Sequence, residues 1–240
     1  MSKGSAKHIL DYLSDDKKFN IFSMKLAAKG IDISFEGSRR PVNESNSNEY
    51  HILTFLEEYH GDVTGTEKMK DWWAVSGKKS TWDLLSNCNI DGKPGILLVE
   101  AKAHERELHY YGKSKSSAKN QKVAKKNTKI IKDCIIEAKS ALNKVGQGRF
   151  NISIGSHYQL SNRFADAWKL ASVGYNIVLV YLGFIGDQHF HDFLTNSEHW
   201  ERVMGAYMHK VIPLSIPDKT ICIEAGGSLR MIIMSLDVVE

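Results

Sequence analysis

Cysteine is scarce in this 240-residue chain: Cys88, Cys134 and Cys222 stand apart and are odd in number. That argues against a disulfide framework and fits a reducing, cytoplasmic setting. No Cys/His pairs carry the spacing of a zinc site. Long apolar runs are missing as well. The greasiest, residues 176–185, is too short to span a bilayer as a helix, so no membrane partner is expected. Met1-Ser2-Lys3-Gly4-Ser5 lacks the apolar core of a secretory signal. Net charge is only +4, so a preference for nucleic acid must come from where the basic residues lie. No internal repeat is present.

What the chain does have is enough length to bury a sizeable core, and a hairpin near its middle. Ile96-Leu97-Leu98-Val99 is a continuous apolar run, the pattern of a strand buried on both faces. Glu100 and Lys102 follow it, with small Ala101 between them. Strand side chains alternate faces, so these two charges share a side. Burying charges costs several kcal/mol or more unless a partner, a metal or water compensates. Upstream, Thr81-Trp82-Asp83-Leu84-Leu85 reads as the first arm of the hairpin, with Asp91-Gly92-Lys93-Pro94-Gly95 as its turn.

A two-residue turn sets Asp83 opposite Glu100, and a four-residue loop sets it opposite Lys102. Either register leaves Asp83, Glu100 and Lys102 on one face. Pro94 inside a strand would remove a ladder donor, so the four-residue loop, Asp91 to Pro94, is the expectation. Two carboxylates and a lysine converging on one face suit a hard divalent cation such as Mg²⁺, with Mn²⁺ able to substitute. Such an ion neutralises charge at a scissile phosphate and lowers the pKa of bound water, while a lysine orients or deprotonates that water.

Asp83, then sixteen residues, then Glu100-Ala101-Lys102 resembles the PD-(D/E)xK, or restriction-endonuclease-like, nuclease superfamily. The motif covers about 20 residues, and Trp82 stands where the family name has proline. The resemblance implies a mixed central β-sheet flanked by helices. It implies Asp83 and Glu100 as metal ligands, Lys102 as the catalytic lysine, and DNA as substrate. In that superfamily a helix before the hairpin often brings a further acid to the metal. Glu49 is the candidate, at the head of an expected amphipathic helix over 48–59. A glutamine on the segment after the hairpin often lines the site as well, and Gln159 is the candidate. The organisation expected is one α/β domain with a core at 46–185. A helical addition over 1–45 and a C-terminal addition over 186–240 complete it. A homodimer is a further expectation.

The basic residues are unevenly spread. Thirteen of the 32 lie between Lys102 and Arg149, against four acids there, while the remainder of the chain is net negative. The asymmetry favours a polyanion, because each phosphate contact releases condensed counterions. Lys113, Lys115, Lys122 and Lys126 are the candidate contacts, with Tyr110 and Tyr111 as stacking surfaces. Residues 117–145 are expected to form a helix whose buried stripe includes Ile131, Cys134, Ile135, Ala138 and Leu142. Lys78 and Lys79 could also meet phosphate.

Elsewhere, helices are expected around Ile9–Leu13 with Ser5 as cap, over 19–29, and across 188–211. Strands are expected at 71–75, 150–155, 176–182, 220–224 and 229–235. Ser161 or Asn162 would cap a helix running to Gly174. Arg163, near that helix start, runs against the helix dipole, so an anionic partner is expected there. A non-catalytic nucleic-acid-binding module and a metal-dependent hydrolase of small phosphate esters are the competing readings.

Overall fold

The computed structural model describes residues 4–33, 39, 50–61, 63–73, 80–114, 120–224 and 226–238. The elements in order are α1 (Ser5–Ser14), α2 (Asp16–Ala27), β1 (Ile31–Asp32), β2 (Tyr50–His51) and α3 (Ile52–Phe55). A π-helical turn, Leu56–His60, extends α3, and α4 (Val63–Trp72) follows. Then come β3 (Thr81–Trp82), β4 (Leu84–Ile90), β5 (Lys93–Lys102), α5 (Gln121–Lys144) and α6 (Tyr158–Ser172). The chain continues with β6 (Asn176–Ile185), α7 (Ser197–Met208), β7 (Thr220–Cys222) and β8 (Ser228–Asp237).

Six strands form one mixed sheet in the order β1-β4-β5-β6-β8-β7, and β2 pairs with β3 in a small separate ribbon. β5 runs antiparallel to β4 and parallel to β6; β6 is also parallel to β8. The return from β5 to parallel β6 passes through α5 and α6, as parallel strands require a long crossover. Helices cover both faces. α1 and α2 bury Ile9, Leu10, Phe22 and Leu26 against Leu97, Val99, Val178 and Val180. On the other face α5, α6 and α7 bury Ile135, Phe164, Leu170 and Trp200 in one core with Leu98, Ile177 and Leu179. β5 and β6 therefore sit in the middle of a three-layer packing, which is why their sequences are apolar almost without interruption.

The hairpin turn corrects the expected four-residue loop. Ile90 pairs with Lys93 and Leu84 with Val99, so the turn has two residues. Asp91 and Gly92 both have positive φ, at 49° and 80°, as a type I′ turn demands. Pro94 is tolerated because it follows a hydrogen-bonded pair: its nitrogen points away from β4, where no ladder bond is required. Its carbonyl, on that same outer side, accepts from Asn176 Nδ2 at 2.9 Å.

Other expectations change too. Asp71 and Trp72 close α4 instead of opening a strand, since Thr66, Met69 and Trp73 are buried at helical spacing; residues 74–75 lie outside the described residues. Phe150 and Ile152 are buried in alternation but join no sheet. Their segment is held by Asn143, which both donates to and accepts from Phe150, and by Val211 O. α6 starts at Tyr158, with His157 at φ 46° as its cap residue. Ser161 Oγ instead accepts from Ser153 N at 3.0 Å. Ser5 Oγ donates to Glu107 rather than capping α1, and α2 begins at Asp16, capped by Asp15. The helix expected over 188–211 forms only from Ser197, capped by Asn196. The helix expected over 48–59 gives way at its start to β2, and the one expected over 117–145 begins at Gln121 with Asn120 as cap. Among the described residues no helix is long and apolar enough to cross a membrane.

Candidate active site

The site lies at the end of the hairpin away from its turn. The chain bends at Asp83, between β3 and β4, and the Asp83 backbone N–H donates to Val99 O at 3.2 Å. Asp83 Oδ2 accepts the Ala101 N–H at 2.7 Å, so a carboxylate replaces the backbone acceptor that a continuing strand would have supplied. Glu100 and Lys102 share the sheet face of Leu98, and both are buried, at 2% and 4% exposure.

α6 supplies the other half. Gln159, Arg163 and Asp166 recur at helical spacing along one side of this helix, where nearly every residue from 160 to 168 is buried. Gln159 Nε2 donates to Glu100 Oε1 at 2.7 Å, and Lys102 Nζ donates to the same oxygen at 2.5 Å. Arg163 Nε donates to Glu100 Oε2 at 2.6 Å. Nη1 of the same guanidinium donates to Ser80 Oγ at 3.1 Å, and its Cζ lies 4.6 Å from the centre of the Trp82 ring. The Ser80 hydroxyl also opposes the rise of the Asp166 pKa.

The electrostatics separate the two acids of the hairpin. Burial opposes the charge of Glu100, but Arg163 and then Lys102 outweigh it and hold the pKa down at about 2. Asp83 goes the other way: burial and the neighbouring Glu100 charge raise it to about 7 against the pull of Lys102. Burial works against the Lys102 charge, yet Glu100 and Asp83 raise its pKa above the ordinary value. Lys102 is therefore an ammonium at neutral pH, a donor and point charge rather than a base. Burial lifts Asp166 to about 6. Tyr181, paired with Glu100 across β5 and β6, has a buried hydroxyl with no hydrogen bond among the described residues.

Several expected residues come together here: Asp83, Glu100, Lys102, Gln159 and Arg163. Arg163, expected at the nucleic-acid surface, is 9% exposed and committed to Glu100. Glu49, Lys78, Lys79 and Lys115 lie outside the described residues. Lys113 stands beside the helix start, its Nζ 5.0 Å from the Tyr158 ring centre. Its strand-like segment is drawn against residues 154–157 by Lys113 N to Ile154 O and His157 N to Tyr110 O. Gly112 allows that approach: a Cβ there would meet Gly155 O at 2.5 Å. Tyr111 is 82% exposed. Lys122 and Lys126, with Lys125, Lys129 and Lys132, are exposed along α5, opposite the stripe of Ile131, Cys134, Ile135, Ala138 and Leu142.

Ser80, Asp166 and the Trp82 ring were not singled out by sequence reasoning. A polar Gln159–Arg163–Asp166 stripe on an otherwise apolar helix was the available signal.

A hard cation would find one Asp83 oxygen without a hydrogen bond among the described residues, whereas both Glu100 oxygens already accept from Lys102, Gln159 and Arg163. Among the described residues no three His, Cys, Asp or Glu side chains form a metal-holding cluster. The protein would thus contribute Asp83 and Glu100, leaving the remaining positions to water and substrate phosphate, as Mg²⁺ commonly accepts. Comparison with protein-family models, curated proteins and solved structures returned no match.

Proposed function

We propose that this protein is a Mg²⁺-dependent endonuclease hydrolysing DNA phosphodiester bonds, built on a restriction-endonuclease-like core. The observation that carries this reading is the meeting of Asp83, Glu100, Lys102 and Gln159 at one end of the hairpin, from the bend before β4, from β5 and from α6. A bound Mg²⁺ supplies Lewis-acid charge to the scissile phosphate and acidity to a bound water.

The side chains do the rest. Asp83 and Glu100 provide anionic oxygens for the cation. Gln159 and Arg163 fix the orientation of the Glu100 carboxylate, which stays ionised throughout the neutral range. Lys102, held protonated, would hydrogen-bond the attacking water or the oxygens of the pentacovalent phosphorus on which charge develops. The lysines of α5 and Lys113 bear the polyanion through phosphate contacts that position it without reading sequence. Tyr111 offers an exposed ring for stacking on an unpaired base.

The test is cleavage of supercoiled plasmid and linear duplex with Mg²⁺, Mn²⁺ or EDTA, comparing wild type with Asp83→Ala and Lys102→Ala. Metal-dependent nicking lost in both variants supports the nuclease; binding without cleavage under either metal removes it. The second reading, a binding module that retains the hairpin, draws on one observation. Both oxygens of Glu100 are already occupied, by Lys102, Gln159 and Arg163. That reading expects DNA binding indifferent to Glu100→Ala.

A further inference from the structure

An ion pair between Arg163 and Glu100 alone would need no explanation beyond a buried charge finding its partner. The surroundings of Arg163 exceed that. The guanidinium divides its donors between two chain segments: Nε goes to Glu100 on β5, and Nη1 goes to Ser80, three residues before Asp83. Its plane also covers Trp82, the residue immediately before Asp83. Asp166, one turn further along α6, is near enough for the Ser80 hydroxyl to lower its pKa. Ser80 is 8% exposed, so Arg163 stands at its hydroxyl in place of water. On the other side the 81–82 segment is held by β2, through Tyr50 to Trp82 and His51 to Thr81.

We propose that Arg163 and Ser80 form a clasp that sets the distance between the Asp83 and Glu100 carboxylates. In it Arg163 is a positioning residue rather than a contact for nucleic acid. The hairpin ladder ends at Leu84–Val99; beyond that pair Asp83 still bonds Val99 O and Ala101 N on β5. The bend at Asp83 would otherwise let that segment swing. The clasp removes that freedom by tying it, through one rigid helix, to the same carboxylate that Asp83 must work with. A planar fork with donors at fixed angles is suited to this; an ammonium, a point charge with rotatable donors on a flexible stem, fixes neither direction. The inference rests on reading the site as metal-dependent.

The experiment measures Mn²⁺ affinity by electron paramagnetic resonance without nucleic acid, then kcat and KM on duplex DNA. It uses wild type, Ser80→Ala, Ser80→Thr and Arg163→Lys. Outer partners of metal ligands are worth about 10- to 100-fold in affinity or rate. Ser80→Ala and Arg163→Lys are each expected to weaken Mn²⁺ and lower kcat within that range while KM for DNA stays within about twofold. Ser80→Thr, which keeps the hydroxyl, restores both. Ser80→Ala is small enough to fold even if Arg163→Lys does not. The clasp is overturned if Ser80→Ala binds Mn²⁺ and cleaves like wild type, or if Ser80→Thr is as impaired as Ser80→Ala. A wild type that binds no Mn²⁺ overturns the metal-site reading and the clasp together. A wild type that binds Mn²⁺ without cleaving overturns the nuclease reading alone, and the clasp is then decided by the affinities.

Discussion

Replacing Asp83 with asparagine should make the protein more stable, by an amount that grows from nothing near pH 4 to its full size above pH 7. Asparagine keeps the oxygen that accepts the Ala101 N–H and removes a charge that burial and Glu100 disfavour. Because the folded state raises the Asp83 pKa from the ordinary 3.8 to about 7, it holds this proton more tightly than the unfolded chain. That contribution is complete below about pH 4 and is lost as the pH rises through about 7. At about 1.4 kcal/mol per pH unit the full shift bounds the effect at about 4 kcal/mol. Asp83 retains some access to water, which screens it, so about 1–2 kcal/mol is the expected gain at pH 8. For a chain of this length that corresponds to about 2–8 °C in Tm. Calorimetric scans in EDTA from pH 4 to pH 8 would measure it, with the two proteins converging at the acid end. Equal stability at pH 8, or an advantage of the same size at pH 4, would refute the account of Asp83 as an under-neutralised carboxylate. The same variant should lose metal-dependent cleavage, separating the stability of the site from its use.

Glu100→Gln removes the anion facing both Lys102 and Arg163, and breaking a buried charge cluster in this way should cost about 3–5 kcal/mol, read by urea denaturation. Neutralising Lys122, Lys125, Lys126 and Lys129 to glutamine should reduce the slope of log K against log salt for duplex binding by about 3–4. Cleavage of a saturating short duplex would be unchanged. Gly183→Ala places a Cβ 2.6 Å from the Trp200 ring. With Trp200 buried and unable to yield, overpacking should cost about 1–3 kcal/mol in thermal unfolding.

The shared face of Asp83, Glu100 and Lys102 was legible because strand parity holds in either of the two registers considered. The register itself was misread through Pro94. A proline was weighed as a lost donor, but its slot in a two-residue hairpin asks for none on the β4 side. The helical character of 71–72 was hidden by the tandem tryptophans, which suit a strand as well as a helix. Burial of Thr66, Met69 and Trp73 against the core decides it. The alternation at 150–152 was real, yet a period of two records burial and not ladder pairing. Gln159 came into view only through the resemblance. The engagement of Arg163 with Glu100 had no local trace at all, since its partners lie some sixty to eighty residues upstream, and an arginine at a helix start looks the same whether it meets solvent, phosphate or a buried glutamate.

The crossover between β5 and β6 imposes an order in time. Both hairpin acids lie within about twenty residues of one another, and their pairing needs only local chain closure. The guanidinium that neutralises Glu100 is encoded some sixty residues later, beyond the whole of α5. At about 5–20 residues per second, a ribosome takes roughly 3–12 s to cover that gap. For that interval the nascent hairpin carries two acids with Lys102 as the nearest cation. Docking of α6 is therefore the event that completes the folded hairpin and its electrostatics together, so nascent chains released before Arg163 should hold the Glu100 end of β5 open to solvent.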